Sequence, residues 1–139
     1  MMSMSHWVCE GIGINAGDVM SSINTKRCIA FLKKQLPDEE ISEEDFDITD
    51  FLYGEPFDNF GDILCHCDDT NTMTYGDDGD GEYYFFYRPS YPWQWCDKEP
   101  KSLGEVHERI ITAVQKICDL TSDQIEALIN DDLYVYGCG

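Results

Sequence analysis

At 139 residues, with 42% hydrophobic and 13% aromatic side chains, the chain suits one domain that buries roughly two-thirds of its unfolded surface, and disorder over most of it is excluded. A formal net charge of −19 repels nucleic acid and anionic membranes, and no apolar run approaches the roughly 18 residues of a spanning helix. Seven cysteines at irregular spacing, behind an N-terminus (Met1 to His6) with neither a basic region nor a long apolar core, point to reduced thiols in a cytoplasmic protein.

His6 to Ile14 reads as a strand, because Trp7, Val8, Cys9, Ile12 and Ile14 favour extended backbone. Gly11 and Gly13 within it mark a bulge or a close backbone approach. The run from Gly11 to Gly17 has G-x-G-x-x-x-G spacing with no regular βαβ array after it, so it is not a dinucleotide-binding turn. A helix is expected from Asn24 or Thr25 to Leu36, with Cys28, Phe31 and Leu32 facing inward and Pro37 ending it. Its outer face carries Lys26, Arg27, Lys33 and Lys34, a patch suited to neutralising neighbouring carboxylates.

From Gln35 to Tyr87 the chain holds 17 of its 28 acidic residues and none of its nine Lys and Arg residues. Ten of these acids lie between Asp38 and Asp58 and six between Asp68 and Glu82. Ser42 as N-cap, the pair Ile41 and Phe46 as hydrophobic staple, and Gly54 as C-cap predict a helix across the first block. Glu43, Glu44 and Asp45 would suit its first turn. Asp47, Asp50, Glu55 and Asp58 are not explained by helix chemistry. Were the first block helical, it would carry one charge per ~3 Å, comparable to the 3.4 Å spacing of phosphates on one DNA strand. Pro56 prevents one straight helix.

Alternation over Gly61 to Cys67 reads as a strand, paired through a long acidic loop with an aromatic strand, Tyr83 to Arg88. The loop acids Asp77, Asp78, Asp80 and Glu82 do not follow the EF-hand pattern and read as a solvated Gly/Asp turn. Cys65, His66 and Cys67 have zinc-compatible chemistry, with Cys9, Cys96, His107 or Cys138 available to complete a set. A strand would nonetheless place His66 opposite the two thiols. Ser90 to Cys96 is an aromatic loop, either a lid on the core or an interface anchor. Ser102 to Cys118 is a helix with a Ser102/Glu105 capping box and a stripe of Leu103, Val106, Ile110, Val114 and Ile117, which leaves His107 and Glu108 solvated. A further helix starts at Thr121, capped with Gln124, and Leu133 to Tyr136 closes the chain as a strand beside the first. The fold class is α+β, a mainly antiparallel sheet with about four helices in the order β-α-α-β-β-α-α-β.

No Ser/His/Asp or Cys/His constellation and no phosphate-cradling loop is present, so the expectation is a binding protein, with no catalytic residue and no cofactor. In size, acidity and charge segregation it resembles, at the level of class, the small DNA-mimic inhibitors of phages and mobile elements, including anti-CRISPR proteins. That resemblance implies an inhibitor acting in the host-cell cytosol on the basic groove of a nucleic-acid-binding protein, such as a CRISPR nuclease. The residues expected to meet such a partner are Glu43, Glu44, Asp47, Asp50, Glu55 and Asp58, then Asp68, Asp69, Asp77, Asp78, Asp80 and Glu82, with Tyr91 and Trp93 as aromatic anchors. An immunity protein against a nuclease toxin would use the same physics. A small intracellular metal-binding protein built on Cys65, His66 and Cys67 is the alternative from another class.

Overall fold

The computed structural model describes residues 8–44, 46–53, 57, 59–77, 82–88 and 100–136. Within them an antiparallel four-stranded sheet, ordered β2-β3-β1-β4, carries six helices. The strands are β1 (Val8–Asn15), β2 (Thr74–Asp77), β3 (Tyr83–Tyr87) and β4 (Asn130–Tyr136). The helices are α1 (Gly17–Met20), α2 (Thr25–Gln35), α3 (Ile48–Tyr53), α4 (Phe60–Cys67), α5 (Leu103–Gln115) and α6 (Ser122–Glu126). The α+β class and the antiparallel sheet are as the sequence implies, but two more helices are present and the order is β-α-α-α-α-β-β-α-α-β.

The sheet is built on the contact between β1 and the aromatic strand β3. Gly13 lies opposite Phe86 and Ile14 opposite Phe85, so Ile14 and Phe85 share the face that the helices cover. On the other face Phe86, fully buried, packs with Leu133. A Cβ on Gly11 would come within 2.6 Å of the Phe86 ring, and one on Gly13 within 2.2 Å of the Phe85 carbonyl oxygen. Both expected consequences of these glycines occur together, since the pairing of β1 with β4 also shifts register between them. β4 lies beside β1, as its sequence position suggests.

Most of the helix signals act as expected. Asn24 caps α2 by accepting from the Arg27 backbone N–H, and Ser102 caps α5 by accepting from that of Glu105. Glu105 itself accepts from the Lys101 backbone N–H, one residue before the position a capping box uses. Thr121 and Gln124 close a full capping box on α6. On α5 the buried stripe is Val106, Ile110, Ala113 and Val114, while Leu103 is half exposed.

Three expectations are corrected. Gly61 to Cys67 is not a strand but lies within α4: Asn59 accepts from the Asp62 backbone N–H, and Phe60, Ile63, Leu64 and Cys67 are buried at helical spacing. The hairpin partner of β3 is therefore β2, and the connection between them is short. The helix expected from Ser42 does not form there; the Ser42 hydroxyl accepts from the Glu44 backbone N–H within a turn, and Asp47 starts α3 by accepting from Thr49 and Asp50. A helix through residues 38–50 would stack Glu39 on Glu43 and Glu40 on Glu44, with no basic residue between to offset the repulsion. Gly54 lies outside the described residues.

Replacing Gly13 with Ala should lower stability by roughly 2–4 kcal/mol, because the added methyl meets strand backbone that cannot yield. Gly104→Ala at the start of α5, whose added methyl meets only the Ser102 hydroxyl at an ordinary 3.9 Å contact, should be neutral or gain up to about 1 kcal/mol. Urea denaturation of both variants checks the pair; equal midpoints would remove the close approach as a constraint.

Candidate functional site

The segment that runs from the end of α2 through α3 carries seven described carboxylates, Asp38, Glu39, Glu40, Glu43, Glu44 and Asp47 before α3 and Asp50 in its first turn, and every one is exposed. Among the described residues no Lys, Arg or His forms an ion pair with any of them. Several cations of the chain are engaged elsewhere. Arg27 donates to the carbonyl oxygens of Gln115 (3.0 Å) and Cys118 (2.5 Å) at the end of α5, and also faces Asp119. Lys34 and Lys116 converge on Asp69, at 3.9 and 2.5 Å. The basic face of α2 thus does neutralise carboxylates, but those of Asp69 and Asp119.

The second acidic block has different uses. Asp68 is buried and accepts four hydrogen bonds: from Thr70 N–H (3.0 Å) and its hydroxyl (2.6 Å), and from the N–H groups of Thr72 (2.9 Å) and Met73 (3.2 Å). It shapes the turn between α4 and β2, in which Asn71 takes a left-handed φ of 54°, a conformation asparagine tolerates better than most side chains. Asp68 is therefore a structural carboxylate, not a surface charge. The hydrogen bond and charge of Lys116 hold the Asp69 carboxyl below its usual range. Glu82 accepts from the Asn15 side-chain amide at 2.7 Å, joining the start of β3 to the end of β1. Asp77 ends β2, while Glu55, Asp58, Asp78, Asp80, Tyr91 and Trp93 lie outside the described residues.

His107, expected in solvent, is instead mostly buried and set between two carboxylates. Its Nδ1 lies 2.5 Å from Glu126 on α6 and its Nε2 2.6 Å from Asp131 on β4. A neutral imidazole has one N–H and could donate to only one of them; the imidazolium donates to both. Burial alone pulls its pKa down, but the hydrogen bonds and charges of Asp131 and Glu126 outweigh that and raise it. The sequence signal was indirect: acids 19 and 24 residues away become neighbours only once α6 and β4 fold back on α5.

The thiols do not assemble into a metal centre in the described part of the chain. Cys65, His66 and Cys67 are consecutive on α4, where successive side chains point about 100° apart. Cys67 is buried, and the His66 ring accepts or donates at Asp62 and stacks edge-on against Phe57 at 5.0 Å. Among the described residues no group of three His, Cys, Asp or Glu side chains is placed to hold a metal ion; Cys96 and Cys138 lie outside them. Burial pushes the Cys28 and Cys118 thiols up to about 12, and raises Cys65 and Cys67 as well. Such thiols are packing groups with little nucleophilic character.

Comparison with protein-family models, with curated proteins and with solved structures finds no match. No described helix is long and apolar enough to cross a membrane. What the geometry defines is an acidic surface over the α2–α3 segment, held by a core to which it contributes Phe51 and Leu52.

Asp68→Ala should cost roughly 2–4 kcal/mol, since it leaves several donors of one turn without their acceptor; a loss below about 0.5 kcal/mol in urea denaturation would reject that role. The His107 contribution has a definite sign with pH. Because the folded-state pKa is raised, the added stability is complete below the unfolded value of about 6.5 and disappears as pH rises through the folded value. Denaturation from pH 6 to 9 should therefore show the wild type losing more stability than His107→Gln over the same range, and parallel curves would contradict it.

Proposed function

We propose that this protein is an acidic inhibitor that docks on the basic nucleic-acid-binding surface of a nuclease or other DNA-binding protein, such as a CRISPR nuclease, and excludes nucleic acid by charge competition. The observation that carries the reading is the row of seven exposed carboxylates from Asp38 to Asp50 with no counter-ion among the described residues. Solubility alone would be served by acids spread over the whole chain. Here Arg27, Lys34, Arg109 and Lys116 sit on other carboxylates and no described cation pairs with this row, so the field over one segment attracts a basic surface. Arg and Lys of a partner would pair with Glu43, Glu44 and Asp50 directly, while Asp47 also holds the start of α3.

The segment is not one straight helix, so the mimicry is of charge density and sign rather than of a regular phosphate ladder. Association of this kind is fast and sensitive to salt. The test is a pull-down from host lysate at low salt, eluted along a salt gradient and read by mass spectrometry, with a Glu43→Gln, Glu44→Gln, Asp50→Asn variant alongside. The expected result is one basic nucleic-acid-binding protein held by the wild type, released by rising salt and lost by the variant. Equal retention by both proteins, or capture of no such partner, would overturn the reading.

A further inference from the structure

Between α2, the chain that follows it and α3 lies a cleft of about 510 Å³. Its apolar lining is Leu32, Leu36, Ile41, Phe46, Phe51 and Phe57. Phe51 and Phe57 are buried and packed on Phe31, with ring centroids 6.3 and 5.8 Å away, so that wall is part of the core. Leu36 and Ile41 are different: both are half-buried, and among the described residues neither belongs to the core cluster or packs against it. The remaining rim is polar and acidic, with Glu39, Glu40, Asp47 and Asp50 beside Ser42.

The chemistry of this rim decides what fits. Four carboxylates around an apolar floor disfavour fatty acids, phosphates and other anions. A second copy of the chain would bring another −19 and the same acidic rim against this one. A cationic partner with an apolar face meets both requirements, its Lys and Arg at the rim and its Leu, Ile or Phe in the cleft. An amphipathic helix lying in a groove is the recurring form of such recognition. The size suits it, because clefts of about 300–1,000 Å³ bury ligands of several side chains. We infer that the α2–α3 cleft receives apolar side chains from a Lys/Arg-flanked amphipathic helix of the target protein. This deepens the proposed inhibitor reading and rests on it: the exposed acids attract any basic surface, and the cleft selects one that also offers an apolar ridge.

The consequence is a part of the affinity that salt does not remove. It is tested with two labelled synthetic helices of about 15 residues, equal in charge and rich in Lys and Arg, one with Leu along its other face and one with Ala there, since Ala preserves helix formation. Fluorescence anisotropy should show the Leu helix binding about tenfold tighter or more, a ratio kept at high salt while both affinities fall. In the Leu36→Ser, Ile41→Ser variant the ratio should shrink towards one, with an unchanged melting temperature. A Glu39→Gln, Glu40→Gln variant should weaken both helices and keep the ratio. Equal binding of the two helices to the wild type would overturn the cleft as an apolar receptor while leaving charge-driven docking intact. An undiminished ratio in the Leu36/Ile41 variant would place the apolar contact elsewhere and overturn it too. Binding of neither helix also overturns it, and the whole-protein pull-down then decides separately whether a basic target exists.

Discussion

The close passage of the aromatic strand β3 across the two glycines of β1 is the constraint on which the remaining architecture depends. With no side chain at Gly11 or Gly13, Phe86 lies against the β1 backbone on one face while Ile14 and Phe85 present the opposite face to the helices. That second face is where α4 and α5 meet the sheet, through Ile63, Leu64, Val106 and Ile110 in the same buried cluster. Glycine costs strand stability through its unfolded-state freedom, and here the burial of a whole phenylalanine side chain, on the order of 1.5–3 kcal/mol, offsets it.

Around that frame the charges divide by location. The cations of α2 and α5 are drawn to each other's neighbourhood, where Arg27 satisfies the last carbonyl groups of α5 and Lys34 and Lys116 bracket Asp69. Two described carboxylates of the second block are committed to local structure, Asp68 by four hydrogen bonds and Glu82 by Asn15. What is left over the α2–α3 segment is an acidic surface with no counter-ion among the described residues and, beneath it, an apolar cleft whose lip residues Leu36 and Ile41 have no core partner among them. A protein kept acidic only for solubility has no need of that combination.

The chemistry expected of individual residues changed with their surroundings. His107 belongs to the polar side of α5 in the sequence pattern, yet it is the clamp between α5, α6 and β4. Cys65, His66 and Cys67 have zinc-compatible chemistry, but a strand would set His66 opposite the two thiols and on the helix all three diverge; the neighbouring hydrophobic spacing explains the element better than alternation does. The signal was present in Asn59 as N-cap and in Phe60, Ile63, Leu64 and Cys67 at i, i+3, i+4 and i+7. Seven residues of mixed apolar and polar type satisfy both periods, which is why the shorter pattern misled.

By itself the sequence determined the α+β class, the start and stripe of α2 and α5, the capped α6, the strands β1, β3 and β4 and the one-sided acidity of the middle of the chain. These are local properties: caps act within one turn, stripes repeat within one helix, and net charge is a count. Only the tertiary structure decided which acids remain exposed, that Asp68 turns inward, that α4 is helical against β2 and β3, and that Leu36 and Ile41 edge a cleft rather than the core. The physical reason is that pairing a charge or burying an apolar side chain depends on partners distant in the chain. Lys116 reaches Asp69, and Asp131 reaches His107, only after the sheet and helices have brought them together.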